Sequence, residues 1–217
     1  NKDDSTKDDN KKDDTSTLNC NSTPKSFETD SWDTIICAAK SGNTSAYRIG
    51  DKREIDMGSF GKHMVRLSNK TTIDECKNDD FSNSACGFVI EFADIITTHR
   101  MNSSLTNVGG WRDSAMRTYV NGTIYNALPS DLRGVIANTT VVSTHVNENG
   151  GIDYTTTTDK LYLLNIEEVY LVNGFEGSRQ LDYYKKLGVT VSNYSGAIKQ
   201  YKGSNYDWWI RSSCSNN

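Results

Sequence analysis

Several features that would point to a common function are missing from this sequence of 217 residues. No run approaches the eighteen or so apolar residues that cross a membrane, so we expect no membrane span. The formal net charge is only −4 and no concentrated basic face is evident, so we expect no nucleic-acid partner. An initiator methionine and a signal peptide are also missing, which is typical of a mature or excised piece.

Motifs for metal or phosphate chemistry are scarce as well. The histidines His63, His99 and His145 lack HExxH spacing, and no glycine-rich phosphate loop is present. We expect structural roles for His63 and His145 in strands, whereas His99 lies in an irregular segment beside Arg100. The sequence therefore predicts no catalytic residues and a protein that is not an enzyme.

The cysteines do not have the spacing of a zinc site. There are 5 of them and no CxxC pair. Cys76 and Cys86 flank a polar loop and could close a small disulfide ring; free, partly buried thiols are the alternative. The odd number leaves at least one thiol unpaired within the chain.

Charge is concentrated at the beginning of the chain. The first 14 residues hold 6 Asp and 4 Lys and no apolar residue. Such a segment cannot bury enough apolar area to offset chain entropy. We therefore predict a disordered charged tether over residues 1–30 and a folded domain over residues 31–217. A tether of this kind is typical of a protein held at a surface, such as a bacterial lipoprotein; a solvated linker between domains is the alternative.

Apolar periodicity predicts short elements of both kinds. Ser31 to Lys40 is predicted as a helix, with Asp30 or Ser31 as N-cap and Gly42 near its end. Strands are predicted at 53–57, 63–67, 87–96, 135–145, 161–164 and 206–213, and further helices near 113–128, 166–170 and 178–186. The order is not an alternating βαβ pattern, so the fold class is α+β.

Charged side chains in the body of the chain are interpreted as structural. Buried arginine needs a partner. The arginines of the motifs are Arg112, Arg117, Arg179 and Arg211, and the candidate partners are Asp113, Asp159, Asp182 and Asp207. Adjacent Glu167 and Glu168 diverge on a helix, so we interpret them as a solvated helix face.

One loop offers the oxygen ligands that calcium prefers. Its candidate ligands are Asn147, Glu148, Asn149 and Asp153, with Asp159 further along. They do not follow the EF-hand pattern, and a polar hairpin loop is the alternative. Calcium is the one cofactor that the sequence suggests.

The segment Tyr206 to Ser213 is the densest apolar and polar cluster of the chain. In a strand, Trp208 and Trp209 would point to opposite faces. We predict Trp209 in the core and leave Trp208 open between core and surface. Aromatic and amide side chains suit a binding face. The predicted ligand-binding residues are Tyr194, Tyr201, Asn205, Tyr206 and Trp208.

Six ordered motifs over residues 31–213 resemble a family of uncharacterised domains from surface and secreted proteins of gut Firmicutes. They are CGFVIEF at 86–92, GWxxSxMRxYVN at 110–121, IYNALP at 124–129, TDKLYLL at 158–164, SRQLDYY at 178–184 and WWIRS at 208–212. The family is similar to the C-type-lectin-like fold in its formylglycine-generating-enzyme (sulfatase-modifying factor) form. The resemblance implies short, mostly antiparallel strands, three or four short helices and long loops. We place Trp111, Arg117, Trp209 and Arg211 in the structural core of such a fold.

The resemblance also bears on function. The similar oxidases hold copper with two cysteines near the C-terminal core, where this chain has only Cys214. We therefore expect an extracellular or cell-surface binding module, an adhesion domain for a glycan or for a host or bacterial surface protein. A formylglycine-generating oxidoreductase and a structural, pilus-like domain are the alternatives. In the similar family the chain continues through further strands, so we expect the domain to be incomplete at its C-terminus and the Trp208–Trp209 strand to lack a sheet neighbour.

Overall fold

The computed structural model describes residue 18 and residues 20–147, 149–172 and 177–213. These residues form a mixed α+β fold with antiparallel strand pairing, as the sequence predicts. The helices are α1 (Trp32–Ser41), α2 (Gly110–Asp113), α3 (Ala115–Tyr119), α4 (Tyr125–Ala127), α5 (Ser130–Val135), α6 (Ile166–Val169) and α7 (Asp182–Lys186). The strands are β1 (Lys52–Asp56), β2 (Lys62–Asn69), β3 (Val89–Phe92), β4 (Thr139–Val146), β5 (Ile152–Asp159), β6 (Lys199–Tyr201) and β7 (Ser204–Tyr206).

The first helix forms where its capping residues predict it. The Ser31 hydroxyl accepts a hydrogen bond from the Thr34 N–H, which satisfies one of the free donors of the first turn. Gly42 ends the helix in the left-handed conformation, at φ 74°. The helix buries Trp32 and Ile35 against the main core. Neither α1 nor any other described helix is long and apolar enough to cross a membrane.

A three-stranded antiparallel sheet supports one half of the molecule. β2 lies in the centre, pairing with β1 through Ile55 and His63 and with β3 through Leu67 and Ile90. Ala93, directly after β3, donates its N–H to the carbonyl of Met64 on β2. Among the residues that the structure describes, no strand pairs with the other edge of β3.

Two hairpins complete the strands. β4 and β5 pair over eight residues each, from Thr139 opposite Asp159 to Val146 opposite Ile152. The smaller hairpin joins β6 to β7 through Lys202 and Gly203, both at positive φ. It brings Lys199, at the start of β6, beneath β3.

Apolar side chains form three clusters. The main cluster lies between α1, the three-stranded sheet and the helices α4 and α5. A second cluster gathers around α6 and α7 and includes Leu181 and Tyr184. A third joins Trp111 and Met116 to Val141 of β4. The third cluster and the main one share Tyr119 and Val120 as partly buried neighbours, so α3 and the π-helical turn after it link the two.

The folded region begins earlier than the predicted boundary at residue 31. Phe27 is almost fully buried in the main cluster, where its ring packs edge-on against those of Trp32 and Tyr47. The Tyr47 hydroxyl donates a hydrogen bond to Asp30. These contacts, together with a disulfide between Cys20 and Cys37, correct the predicted tether over its last residues.

The cysteines form two disulfides. Cys76 and Cys86 are joined, so of the two alternatives left open by the sequence the small disulfide ring is the one that forms. Cys20 and Cys37 are also joined, a pairing that the sequence did not predict. Cys214 lies outside the described residues.

Two predicted strands are not strands in the structure. Residues 161–164 and 207–213 belong to no sheet. Trp209 is a correction as well, because 54% of its surface is exposed and it therefore lies outside the core. Its indole N–H donates to the carbonyl of His99. The core prediction assumed the side-chain alternation of a strand. Because this segment is not a strand, that alternation does not direct Trp209 into the core.

Candidate functional site

The C-terminal segment is held by a buried ion pair. Arg211 contacts Glu168 through two hydrogen bonds, Nη1 to Oε2 at 2.7 Å and Nη2 to Oε1 at 2.6 Å, and both side chains are fully buried. Its guanidinium also donates to the carbonyls of Leu163 and Val142 and to the Ser84 hydroxyl. The predicted core position of Arg211 is confirmed. The pairing fixes the segment after β7 against α6.

Glu168 is also part of the N-terminal cap of its own helix. The Asn165 side chain accepts the Glu168 N–H, and the Glu168 carboxylate accepts the Asn165 N–H, which is a capping box. Burial raises the pKa of Glu168, but the charge of Arg211 and the hydrogen bonds outweigh it and hold the pKa below its ordinary value. The prediction that Glu167 and Glu168 form a solvated helix face is wrong, since both are buried. The spacing of Asn165 and Glu168 was the signal that could have located them.

A second buried carboxylate lies on β3. Glu91 accepts hydrogen bonds from Lys199 at 3.0 Å, Arg66 at 3.0 Å, Ser68 at 2.6 Å and Tyr184 at 2.9 Å. Burial raises the pKa of Glu91, yet Lys199 and Arg66 outweigh it and lower the pKa to about 2. Burial lowers the pKa of Lys199, although the charge of Glu91 opposes this shift. An acidic residue in the middle of the most apolar predicted strand was the sequence signal for this cluster.

Trp111 and Arg117 meet at a third carboxylate, Asp159. The Trp111 indole N–H donates to Oδ2 at 2.9 Å, and Arg117 Nε donates to Oδ1 at 2.7 Å. Trp111 is buried, whereas the Arg117 side chain, which was predicted in the core, is partly exposed. Both residues orient α2 and α3 against β5.

Three of the four arginines of the motifs pair with one of the candidate aspartates. They are Arg112 with Asp113, Arg117 with Asp159 and Arg179 with Asp182. The remaining candidate, Asp207, is exposed and lies on the surface before the tryptophans, and Arg211 does not pair with it. Glu168 takes its place because α6 is the element against which the C-terminal segment packs.

Four of the five predicted ligand-binding residues line one open cleft. Tyr194, Asn205, Tyr206 and Trp208 surround a hollow of about 670 Å³ together with Tyr170, Ala197, Ile198, Asp207 and Ile210. Tyr201 lies beside it, its ring packed edge-on against Tyr206 at 5.9 Å between centroids. We call this hollow the aromatic cleft.

Exposure within the aromatic cleft is uneven. Tyr194 and Tyr206 are more than half exposed, so their rings are available to a ligand. Trp208 is half-buried, and its indole N–H donates to the carbonyl of Ala197 at 2.9 Å. Lys199 lies 5.2 Å from the centroid of the Trp208 ring, on the buried side. Trp208 therefore joins the cleft to the Glu91 cluster.

A second hollow, the apolar groove, lies next to the cleft and has a volume of about 440 Å³. It is lined by Trp32, Ile35 and Ile36 of α1, by the residues of β3 and by residues 160–164. Tyr206, Asp207, Trp208 and Trp209 also line it. His99 lines it as well, and its ring stacks on Tyr119 at 4.0 Å between centroids. The segment 206–208 therefore lines both the cleft and the groove.

The candidate calcium ligands do not converge. The Asn147 side-chain oxygen accepts the N–H groups of Asn149 and Gly151, and its amide nitrogen donates to Asp153. These bonds shape the turn between β4 and β5. Glu148 lies outside the described residues, and the described part of the chain contains no group of three acidic, histidine or cysteine residues that could hold a metal ion.

Together these features define a small disulfide-containing α+β domain with an aromatic cleft and an apolar groove. A family model described as Domain of unknown function (DUF6273) matches residues 88–217, more than half of the chain. The chain belongs to this family. No curated protein and no solved structure matches it. The match begins immediately before β3, whereas β1 and β2 of the same sheet precede it, so the folded unit extends beyond the matched segment.

Proposed function

We propose that this chain is a non-catalytic binding module that takes a carbohydrate in the aromatic cleft. The observation that carries the proposal is the convergence of Tyr194, Asn205, Tyr206 and Trp208 on one open hollow. Exposed aromatic rings offer apolar faces to the C–H groups of a sugar ring at little side-chain entropy cost. Asn205 and Asp207 beside them offer hydrogen-bond partners for hydroxyl groups.

The proposal includes a location outside the cell. The two disulfides are compatible with an extracellular protein, since disulfides persist in oxidising compartments. The bacterial origin, the surface tether and the C-type-lectin-like fold implied by the sequence motifs belong to the same proposal. The alternating short strands and long loops around the cleft are consistent with such a fold.

A glycan array probed with the purified chain, with calcium and with EDTA, tests the proposal. We expect binding to a restricted set of glycans that EDTA does not abolish. Each of Tyr194→Ala and Tyr206→Ala should raise the dissociation constant of a hit about fivefold in calorimetry, because a ring contact contributes roughly 1 kcal/mol.

Tyr154 provides the matched control. It is a tyrosine of similar exposure on β5, outside the cleft. Tyr154→Ala should leave glycan affinity unchanged. An array without hits, or equal losses from Tyr154→Ala and Tyr206→Ala, would contradict carbohydrate binding in this cleft.

A further inference from the structure

The free edge of β3 faces the apolar groove. Backbone groups of successive strand residues point in opposite directions. Ala93 donates its N–H to Met64, so Glu91 also turns its backbone toward β2, and Ile90 and Phe92 turn theirs away. Lys199 donates to the carbonyl of Phe92. None of the described residues hydrogen-bonds the backbone N–H or C=O of Ile90.

Two further segments along the groove have strand-like sequences without a strand partner. Residues 161–164 and residues 206–209 both line the groove. Their apolar sequences predict strands, yet in the described structure 161–164 joins no sheet and only Tyr206 of 206–209 does, in the small β6–β7 hairpin. The backbone of 161–164 is nevertheless largely satisfied, because Leu161 bonds the Asn121 side chain and the carbonyl of Leu164 accepts the Arg211 N–H, so the edge of β3 is the one left open among these segments.

The side chains around the groove are mostly apolar and only partly buried. Phe88, Ile90 and Phe92 pack against the main cluster but remain partly exposed, as do Tyr119 and Leu161. Within a protein interior such residues are ordinarily covered. The exposed carboxylates Asp94 and Asp207 also line the groove, whereas the buried carboxylate of Glu91 is already paired with two cations.

We propose that the apolar groove takes an extended polypeptide segment from outside these 217 residues, which adds as a strand to the free edge of β3. The backbone of the segment hydrogen-bonds Ile90 and the N–H of Phe92. Its apolar residues, at least at alternate positions, cover the main cluster, and a basic residue beside them meets Asp94 and Asp207. The edge of β3 lies outside the aromatic cleft, which shares Tyr206, Asp207 and Trp208 with the groove, so the proposal goes beyond carbohydrate binding.

Strand addition explains why the occupant is a polypeptide. An unpaired strand edge presents N–H and C=O groups at the spacing of another strand, and such edges bind extended peptides through main-chain hydrogen bonds. An acyl chain would fill the apolar volume but leave the edge unpaired. A second copy of the chain could offer the edge of its own β3, which is only four residues long, and the experiments below separate that outcome from peptide binding.

A peptide array tests the proposal. The probes are synthetic nonapeptides with apolar residues at alternate positions, with and without a terminal lysine, each made in an unmodified and an alternately N-methylated form. We expect a subset of unmodified peptides to bind and their N-methylated forms to bind at least tenfold more weakly. If no unmodified peptide binds better than its N-methylated form, the proposal is wrong.

Hydrogen exchange gives a residue-level readout on the same complexes. The Ile90 and Phe92 amides should exchange at least tenfold more slowly with the peptide bound, whereas the Glu91 amide, which faces β2, should not change. Ile90→Pro removes only an outward N–H and should abolish peptide binding, while Ile90→Val should retain it. Protection by a fatty acid instead of a peptide, or dimerisation of the free chain through β3, would overturn the proposal.

Discussion

Glu168 and Glu91 are both buried carboxylates, but the number of their cationic partners differs. Glu168 has one, Arg211, held by two hydrogen bonds at 2.6 and 2.7 Å. Glu91 has two, Lys199 and Arg66, each at 3.0 Å. The first pair is neutral and depends on one residue, whereas the second cluster carries an excess positive charge and retains a cation if one is lost.

The two clusters also share a feature. Arg211 and Lys199 both come from the last part of the chain, and their carboxylates come from α6 and β3. The segment from β6 to Arg211 is therefore anchored to earlier elements at two charged points, on either side of the aromatic cleft. The comparison predicts that removal of Arg211 lowers the free energy of unfolding more than removal of Lys199.

The largest effect is expected for Arg211→Ala. It leaves the carboxylate of Glu168 buried without a cation, and breaking a buried pair in this way costs about 3–5 kcal/mol of unfolding free energy. Urea unfolding followed by circular dichroism measures the loss. Arg112→Ala, which removes the exposed pair with Asp113, is the control and should cost at most about 1 kcal/mol. Equal losses in the two variants would refute the anchoring role.

Acidification should have the next largest effect. The folded-state pKa of Glu91 is about 2, below its ordinary value of 4.5. Its stabilising contribution is therefore complete above pH ~4.5 and is lost as the pH falls toward 2, and Glu168 acts in the same direction. Urea unfolding at several pH values should show a slope of up to about 1.4 kcal/mol per pH unit for each carboxylate. Glu54→Gln, in an exposed pair with Lys62, should leave this slope unchanged.

The smallest effect is expected for Lys199→Met. The carboxylate of Glu91 keeps Arg66, Ser68 and Tyr184, and removing a buried ammonium recovers its desolvation cost. We expect a loss of about 1–2 kcal/mol, chiefly because the carbonyl of Phe92 loses its donor. A loss as large as that of Arg211→Ala in the same unfolding experiment would show that the two clusters depend equally on a single cation.

Local signals in the sequence predicted local structure well. The Ser31 cap and Gly42 stop located α1, and the spacing of Cys76 and Cys86 located a disulfide. Two of the arginine pairs, Arg112 with Asp113 and Arg179 with Asp182, join residues within three positions of each other. In the candidate site, the aromatic and amide composition of residues 194–208 was enough to predict which side chains meet.

Long-range pairing could not be predicted in the same way. Arg211 and Glu168 are 43 positions apart, and Lys199 and Glu91 are 108 apart. Nothing in the sequence around Arg211 distinguishes Glu168 from the nearer Asp207. The exposure of Trp209 has the same origin, because burial of its side chain depends on which distant parts of the chain pack against it.

The disulfide between Cys20 and Cys37 has a mechanical consequence. It joins the segment before α1 to the middle of that helix, across 17 positions of the chain. A pulling force that enters the domain before Cys20 passes through the covalent bridge to α1, so the intervening loop cannot be drawn out. The disulfide thus keeps about 60 Å of contour length in the loop from extending, at up to ~3.6 Å per residue. Force applied at that end therefore reaches the Trp32 packing of the main cluster while Phe27 and Asp30 remain in place.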